Sequence, residues 1–94
     1  DLMTSSDLGT ANITANGVAV QGRVRLKGVV YAHGSTGGSI LFKSGGSGGT
    51  LRLTVPTPAT AGGNDIRFEE NGILFEDGVH VTVGDATSVT VLYA

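Results

Sequence analysis

Residues 18–33 read VAVQGRVRLKGVVYAH, and this stretch carries the clearest structural signal in the chain. Apolar side chains fall on even positions from Val18 to Val30. The cations fall on odd positions: Arg23, Arg25 and Lys27. This period of two is typical of a strand with one buried and one exposed face. Gly22 and Gly28 interrupt the apolar positions, where a bulge or a bend forms easily. The pattern predicts one long, bent strand over residues 18–33.

The same alternation returns further along the chain in short segments. Apolar residues at 51, 53 and 55, and again at 79, 81 and 83, alternate with polar ones. Other strands are marked by Ile40 and Phe42, Ile66 and Phe68, Ile73 and Phe75, and Val89, Val91 and Tyr93. No long window has helical spacing. The chain is therefore predicted to be all-β, an antiparallel β-sandwich or jelly-roll-like domain of about seven to eight strands with essentially no helix.

Glycine supplies most of the turn signals, with 16 among the 94 residues. The dipeptides Asn16-Gly17, Asn71-Gly72 and Asp77-Gly78 have the composition of tight turns and predict three hairpins. GSTGG at 34–38 and GGSGG at 45–49 predict loops that are mobile or packed against a neighbour. Residues 13–94 are predicted to form one domain. Residues 1–12 are polar and without period, and they predict an N-terminal arm that is flexible or docks on a neighbouring subunit.

The composition argues against several functions. A net charge of -2 lacks the surplus of Lys and Arg with which proteins bind nucleic acid. No apolar run approaches the ~20 residues that span a bilayer. Without cysteine there is no thiolate nucleophile, and His33 and His80 lie in no metal-ligand motif. No serine-hydrolase or phosphate-loop motif occurs. The sequence thus predicts a protein that is not an enzyme, with no catalytic, cofactor or metal residues and no nucleic-acid, membrane or small-molecule partner.

The charges are separated along the chain. Residues 8–64 contain five cations and no acid, whereas residues 65–94 contain six acids and Arg67. Pairing across strands within one subunit would explain this separation. Contact between a basic strand face, Arg23, Arg25 and Lys27, and an acidic surface of another copy or of a lattice would also explain it. Calcium binding by the acidic loops is a further possibility, although their spacing matches no EF-hand.

The order of three segments adds a resemblance. Residues 23–60 (RVRLKGVVYAHGSTGGSILFKSGGSGGTLRLTVPTPAT), 66–83 (IRFEENGILFEDGVHVTV) and 88–94 (SVTVLYA) resemble the small all-β virion proteins of tailed phages of marine bacteria. In that family a strand with basic alternation is followed by a Gly-rich turn, an apolar strand with a basic residue, a TxLTVPTPA-like segment, a GI/LxF hairpin and a VTV-x-YA-like end. The resemblance covers about residues 22–94, and residues 1–21 depart from it.

The resemblance implies a structural role at the virion surface: a capsid decoration or cement protein that self-associates as a homotrimer and binds the major capsid lattice. It transfers no catalytic residues. We expect the contacts to involve the N-terminal arm, the basic row formed by Arg23, Arg25 and Lys27, and the apolar C-terminal strand with Val91, Leu92 and Tyr93. A tail or fibre component, a secreted adhesion or carbohydrate-binding module, and a filament subunit are the alternatives.

Overall fold

The computed structural model describes residues 8–94, which form nine strands in two antiparallel sheets. The strands are β1 (Gly9–Ile13), β2 (Gly17–Val20), β3 (Val24–His33), β4 (Gly38–Ser44), β5 (Thr50–Thr57), β6 (Gly62–Arg67), β7 (Ile73–Phe75), β8 (Val79–Thr82) and β9 (Ala86–Tyr93). In this part of the chain no helix is long and apolar enough to cross a membrane.

The strand order is that of a jelly roll. The first sheet runs β1-β9-β3-β6, with β7 also paired to β3, and the second runs β2-β8-β4-β5. Because β6 and β7 pair with successive parts of β3, they act together as one interrupted edge strand. With β6 and β7 counted as one strand, the pairs are nested. β1 pairs with β9, β2 with β8, β3 with β6, and β4 with β5. Such nested pairs, alternating between two sheets, define a jelly roll. The predicted fold class is confirmed.

The core lies between the sheets and is made of apolar side chains from both. Its fully buried members of largest volume are Phe42, Phe75, Leu26, Ile40, Val29, Val79, Val81, Val89 and Val91. On β4, β8 and β9 they occupy alternate positions, as a sheet with one buried face requires, whereas on β3 the buried Leu26 and Val29 are three positions apart. At about 25 cal/mol per Å2 of apolar surface, burial of these side chains is the main stabilising contribution, since the chain has no cysteine for a disulfide.

The predicted long strand over residues 18–33 is wrong in two respects. It is divided into β2 and β3, which belong to different sheets and are separated by residues 21–23. A bulge at residues 27–28 then reverses the alternation, since the register against β9 shifts between Leu26 and Gly28. Val29 is consequently buried, and Val30, predicted to face inward, is 40% exposed.

The three predicted hairpins are also wrong, because the strands that these dipeptides join do not pair with each other. Asn16-Gly17 and Asp77-Gly78 lie where the chain passes from one sheet to the other. Asn71-Gly72 lies in the interruption between β6 and β7. Among residues 8–94, the hairpin between neighbouring strands is the one that joins β4 to β5 through the glycine-rich loop at 45–49.

The last third of the predicted N-terminal arm, residues 9–12, lies in the sheet. Residues 9–12 belong to β1 and pair with β9, from Gly9 opposite Tyr93 to Asn12 opposite Thr90. The Asn12 side-chain amide donates hydrogen bonds of 2.9 Å to the hydroxyls of Ser88 and Thr90. The prediction fails for residues 9–12 because alternate side chains of β1 pack against the core despite the polar composition. For residues 1–7 it lies outside the described residues.

The loop at 34–37 is fastened within the same chain by Asp85. The Gly34 amide donates to the Asp85 carbonyl at 3.0 Å, and the Gly37 amide donates to the Asp85 carboxylate at 2.8 Å. At the same end of the sandwich, the Val83 amide donates to the Asn16 side chain at 2.9 Å. The side chains of Asp85 and Asn16 therefore link three connections at this end: β1 to β2, β3 to β4, and β8 to β9.

Candidate interaction surface

The three cations of the predicted basic row occupy different positions. Arg23 is exposed in the connection before β3, whereas Arg25 and Lys27 are half-buried on β3 itself. The Lys27 ammonium donates to the Glu70 carbonyl at 2.7 Å, and the Phe68 amide donates to the Lys27 carbonyl at 3.0 Å. Lys27 therefore fixes the segment between β6 and β7 to β3 through hydrogen bonds. The two arginines, hereafter the basic surface, make no ion pair within residues 8–94.

The predicted C-terminal contact residues are divided between the inside and the outside of the sandwich. Val91 has no exposed surface and belongs to the core, so it is not available to a partner. Tyr93 packs against the core, and its ring occupies the space where Gly9 lacks a side chain. Leu92 lies on the opposite face of β9, where its Cδ1 atom is 3.1 Å from the position a Cβ would take on Gly28. Of the three, only Leu92 faces outward.

Pairing between the basic and the acidic parts of the chain is not found among residues 8–94. The ion pair there joins Arg67 to Asp65 at 3.6 Å, and both residues come from the acidic part. Both side chains are more than half exposed, so this pair adds at most about 1 kcal/mol. Lys43 donates to the Ser47 carbonyl at 3.0 Å rather than to an acid. Among residues 8–94, the cations of the basic part therefore make no ion pair with the acids of the acidic part.

A polar cavity of about 310 Å3, hereafter the polar notch, opens between β5 and the connection that follows β7. It is lined by Ser44, Gly45, Thr50, Arg52, Leu74, Glu76 and Asp77. The Asp77 amide donates to the Ser44 hydroxyl at 3.0 Å, which ties the two sides together. Since β5 and β7 are edge strands of different sheets, the notch lies at the open side of the sandwich.

The polar notch was not predicted from the sequence. Arg52 and the Glu76-Asp77 pair are distant in the chain, and they converge only because the two sheets pack against each other. The adjacent acids before Gly78 are the one local signal, and they resemble the acids of any solvated turn.

The histidines and acids do not converge elsewhere. Among the described residues, no group of three or more His, Asp or Glu side chains is placed to hold a metal ion. His33 is 8% exposed, and its Nδ1 atom lies 3.1 Å from the Gly34 carbonyl oxygen. The Nδ1 atom of His80 is buried and has no hydrogen-bond partner within residues 8–94. The two histidines lie in different sheets, on β3 and β8.

Comparison with known proteins gives no match to a protein family, a curated protein or a solved structure. The fold class therefore rests on the topology of the chain itself. Because one fold serves many functions, the function has to be argued from the surfaces described above.

Proposed function

We propose that this protein is a structural component of a virus particle, a capsid decoration or cement protein at the virion surface. In this proposal it self-associates as a homotrimer and binds the lattice of major capsid subunits. The observation that carries the proposal is the basic surface, Arg23 and Arg25, which has no acidic partner within residues 8–94.

Two arginines without an acidic partner favour contact with an acidic surface, because complementary charges speed encounter and fix the orientation of a complex. Such an acidic surface is present on the chain itself: Asp65, Glu69 and Glu70 are exposed along the β6 edge and the interruption after it. A second copy would therefore supply a complementary surface for self-association. Acidic side chains of the capsid lattice would supply another.

Two further features support a role in assembly. Jelly rolls recur in viral capsid proteins, which is an argument from analogy of fold. The chain also has no disulfide, and it relies on a single core of modest size. A partner that binds only the folded form would add to its stability by mass action.

The copy number of the chain in purified virus particles tests the proposal. Quantitative mass spectrometry would compare it with the major capsid protein, and we expect a ratio close to that of the capsid lattice. A few copies per particle would contradict the decoration role and indicate a tail or fibre component. Absence from particles would overturn the proposal and favour an adhesion module or a filament subunit.

A further inference from the structure

The polar notch brings hydrogen-bond donors and acceptors to opposite walls. Arg52 on the β5 edge offers guanidinium donors, and Glu76 and Asp77 offer carboxylate acceptors. Arg52 is not within ion-pair distance of either acid. The Ser44 hydroxyl accepts from the Asp77 amide, so its own proton is free to be donated. A ligand in this space meets both kinds of group at once.

The size and openness of the notch restrict the class of ligand. Its volume of about 310 Å3 is at the lower end of the ~300–1,000 Å3 typical of ligand sites. Arg52, Glu76 and Asp77 are exposed, whereas sites for free metabolites are mostly apolar and enclose their ligand. An open, polar notch suits the end unit of a longer molecule, which remains partly in solvent.

The charge and the shape of the notch restrict the class of ligand further. Two carboxylates against one guanidinium leave a net negative charge, which disfavours phosphates, uronic acids and other anions. Hydroxyl groups both donate and accept, so one sugar ring can satisfy the carboxylates and the guanidinium together. Leu74 adds an apolar surface for the C–H face of such a ring.

We infer that the polar notch binds a neutral, hydroxyl-rich sugar unit at the end of a glycan. Gly45 lines the notch, and a Cβ at this position would be in van der Waals contact with the Asp77 carboxylate, at 3.6 Å. This inference goes beyond the proposed virion role and does not depend on it, because particle copy number and sugar binding are measured separately.

The test is a titration of the 15N-labelled 94-residue chain with glucose, galactose, mannose and N-acetylglucosamine, followed by NMR. We expect saturable shifts for at least one of these sugars, confined to the amides around Gly45, Thr50 and Asp77. Glucuronate, which carries a negative charge, should bind at least tenfold more weakly than glucose.

Matched variants distinguish the notch from the rest of the surface. Arg52→Ala and Asp77→Asn should each weaken binding at least tenfold, whereas Arg67→Ala, at an exposed arginine outside the notch, should leave it unchanged. The spectra away from the notch report whether each variant is folded. Absence of saturable shifts with all four sugars, or binding unaffected by Arg52→Ala, would overturn the inference. Shifts of the same amides with a lysine-rich peptide but not with sugars would overturn it too, and would indicate a basic protein partner.

Discussion

The substitution Gly72→Ala tests the geometry of the interruption between β6 and β7. Gly72 has a φ of 71°, and a Cβ there would overlap the carbonyl oxygen of Leu26. Leu26 cannot move away, because it is fully buried and paired with both β7 and β9. The interruption would have to shift instead, and this would disturb the hydrogen bond from Lys27 to Glu70.

The magnitude follows from three contributions. A left-handed conformation costs alanine about 1–2 kcal/mol, and the reduced entropy of the unfolded chain offsets about 0.4–1 kcal/mol of this. Loss of one or two hydrogen bonds adds about 1 kcal/mol each. The expected loss in the free energy of unfolding is thus about 1–4 kcal/mol, centred on about 2 kcal/mol. Gly22 is the matched control: its φ is 85°, but a Cβ there meets no atom of residues 8–94 within 4 Å. Gly22→Ala should cost only about 1 kcal/mol.

Urea denaturation followed by circular dichroism measures both losses. The expected difference between the two variants is the contribution of the lost hydrogen bonds, about 1–2 kcal/mol, which corresponds to a difference in Tm of about 4–16 °C for a domain of this size. If Gly72→Ala destabilises the protein no more than Gly22→Ala does, the close approach to Leu26 is wrong.

Other substitutions test the core, the loops and the basic surface. Phe42→Ala should lower the free energy of unfolding by about 3–5 kcal/mol, because Phe42 is fully buried. Val18→Ala, at a side chain that is 52% exposed, should change it by less than about 0.5 kcal/mol. If urea denaturation shows equal losses for the two variants, the placement of Phe42 in the core is wrong. Asp85→Ala should cost about 1–3 kcal/mol and speed hydrogen exchange of the loop amide that it binds, so unchanged exchange would argue against this link. If the proposed decoration role is right, joint replacement of Arg23 and Arg25 by Glu should weaken binding to a capsid lattice at least tenfold in a co-sedimentation assay. Binding that resists both this change and added salt would count against the basic surface.

The sequence predicts the class of the fold better than the connections within it. Alternation identifies which segments are strands, as in residues 79–83, because burial of one face imposes a period of two. It does not say which sheet a strand joins, so the continuous alternation across residues 18–33 predicts one strand where the chain has β2 and β3. A single bulged residue also reverses the period, and for this reason Val30 was placed on the wrong face.

The candidate sites depend on contacts between distant residues, which a single sequence does not reveal. The alternation of charge in the sequence is enough to predict Arg23 and Arg25 as contact residues. The role of Lys27 was missed because its partner, the Glu70 carbonyl, is a backbone atom of a later segment. Val91 was predicted as a contact residue although it is buried, because alternation cannot distinguish the core from an interface.

The nested pairing of the strands determines how the protein folds. Ser44 and Thr50 close a short loop, whereas Gly9 and Tyr93 meet only after nearly the whole chain has been brought together. Loop-closure entropy grows with the length enclosed, and domains dominated by non-local pairs fold in about milliseconds to seconds. We expect φ-values to be highest in the hairpin of β4 and β5 and close to zero in the pair of β1 and β9. During synthesis β1 therefore waits unpaired until β9 has left the ribosome, and the first sheet is completed last.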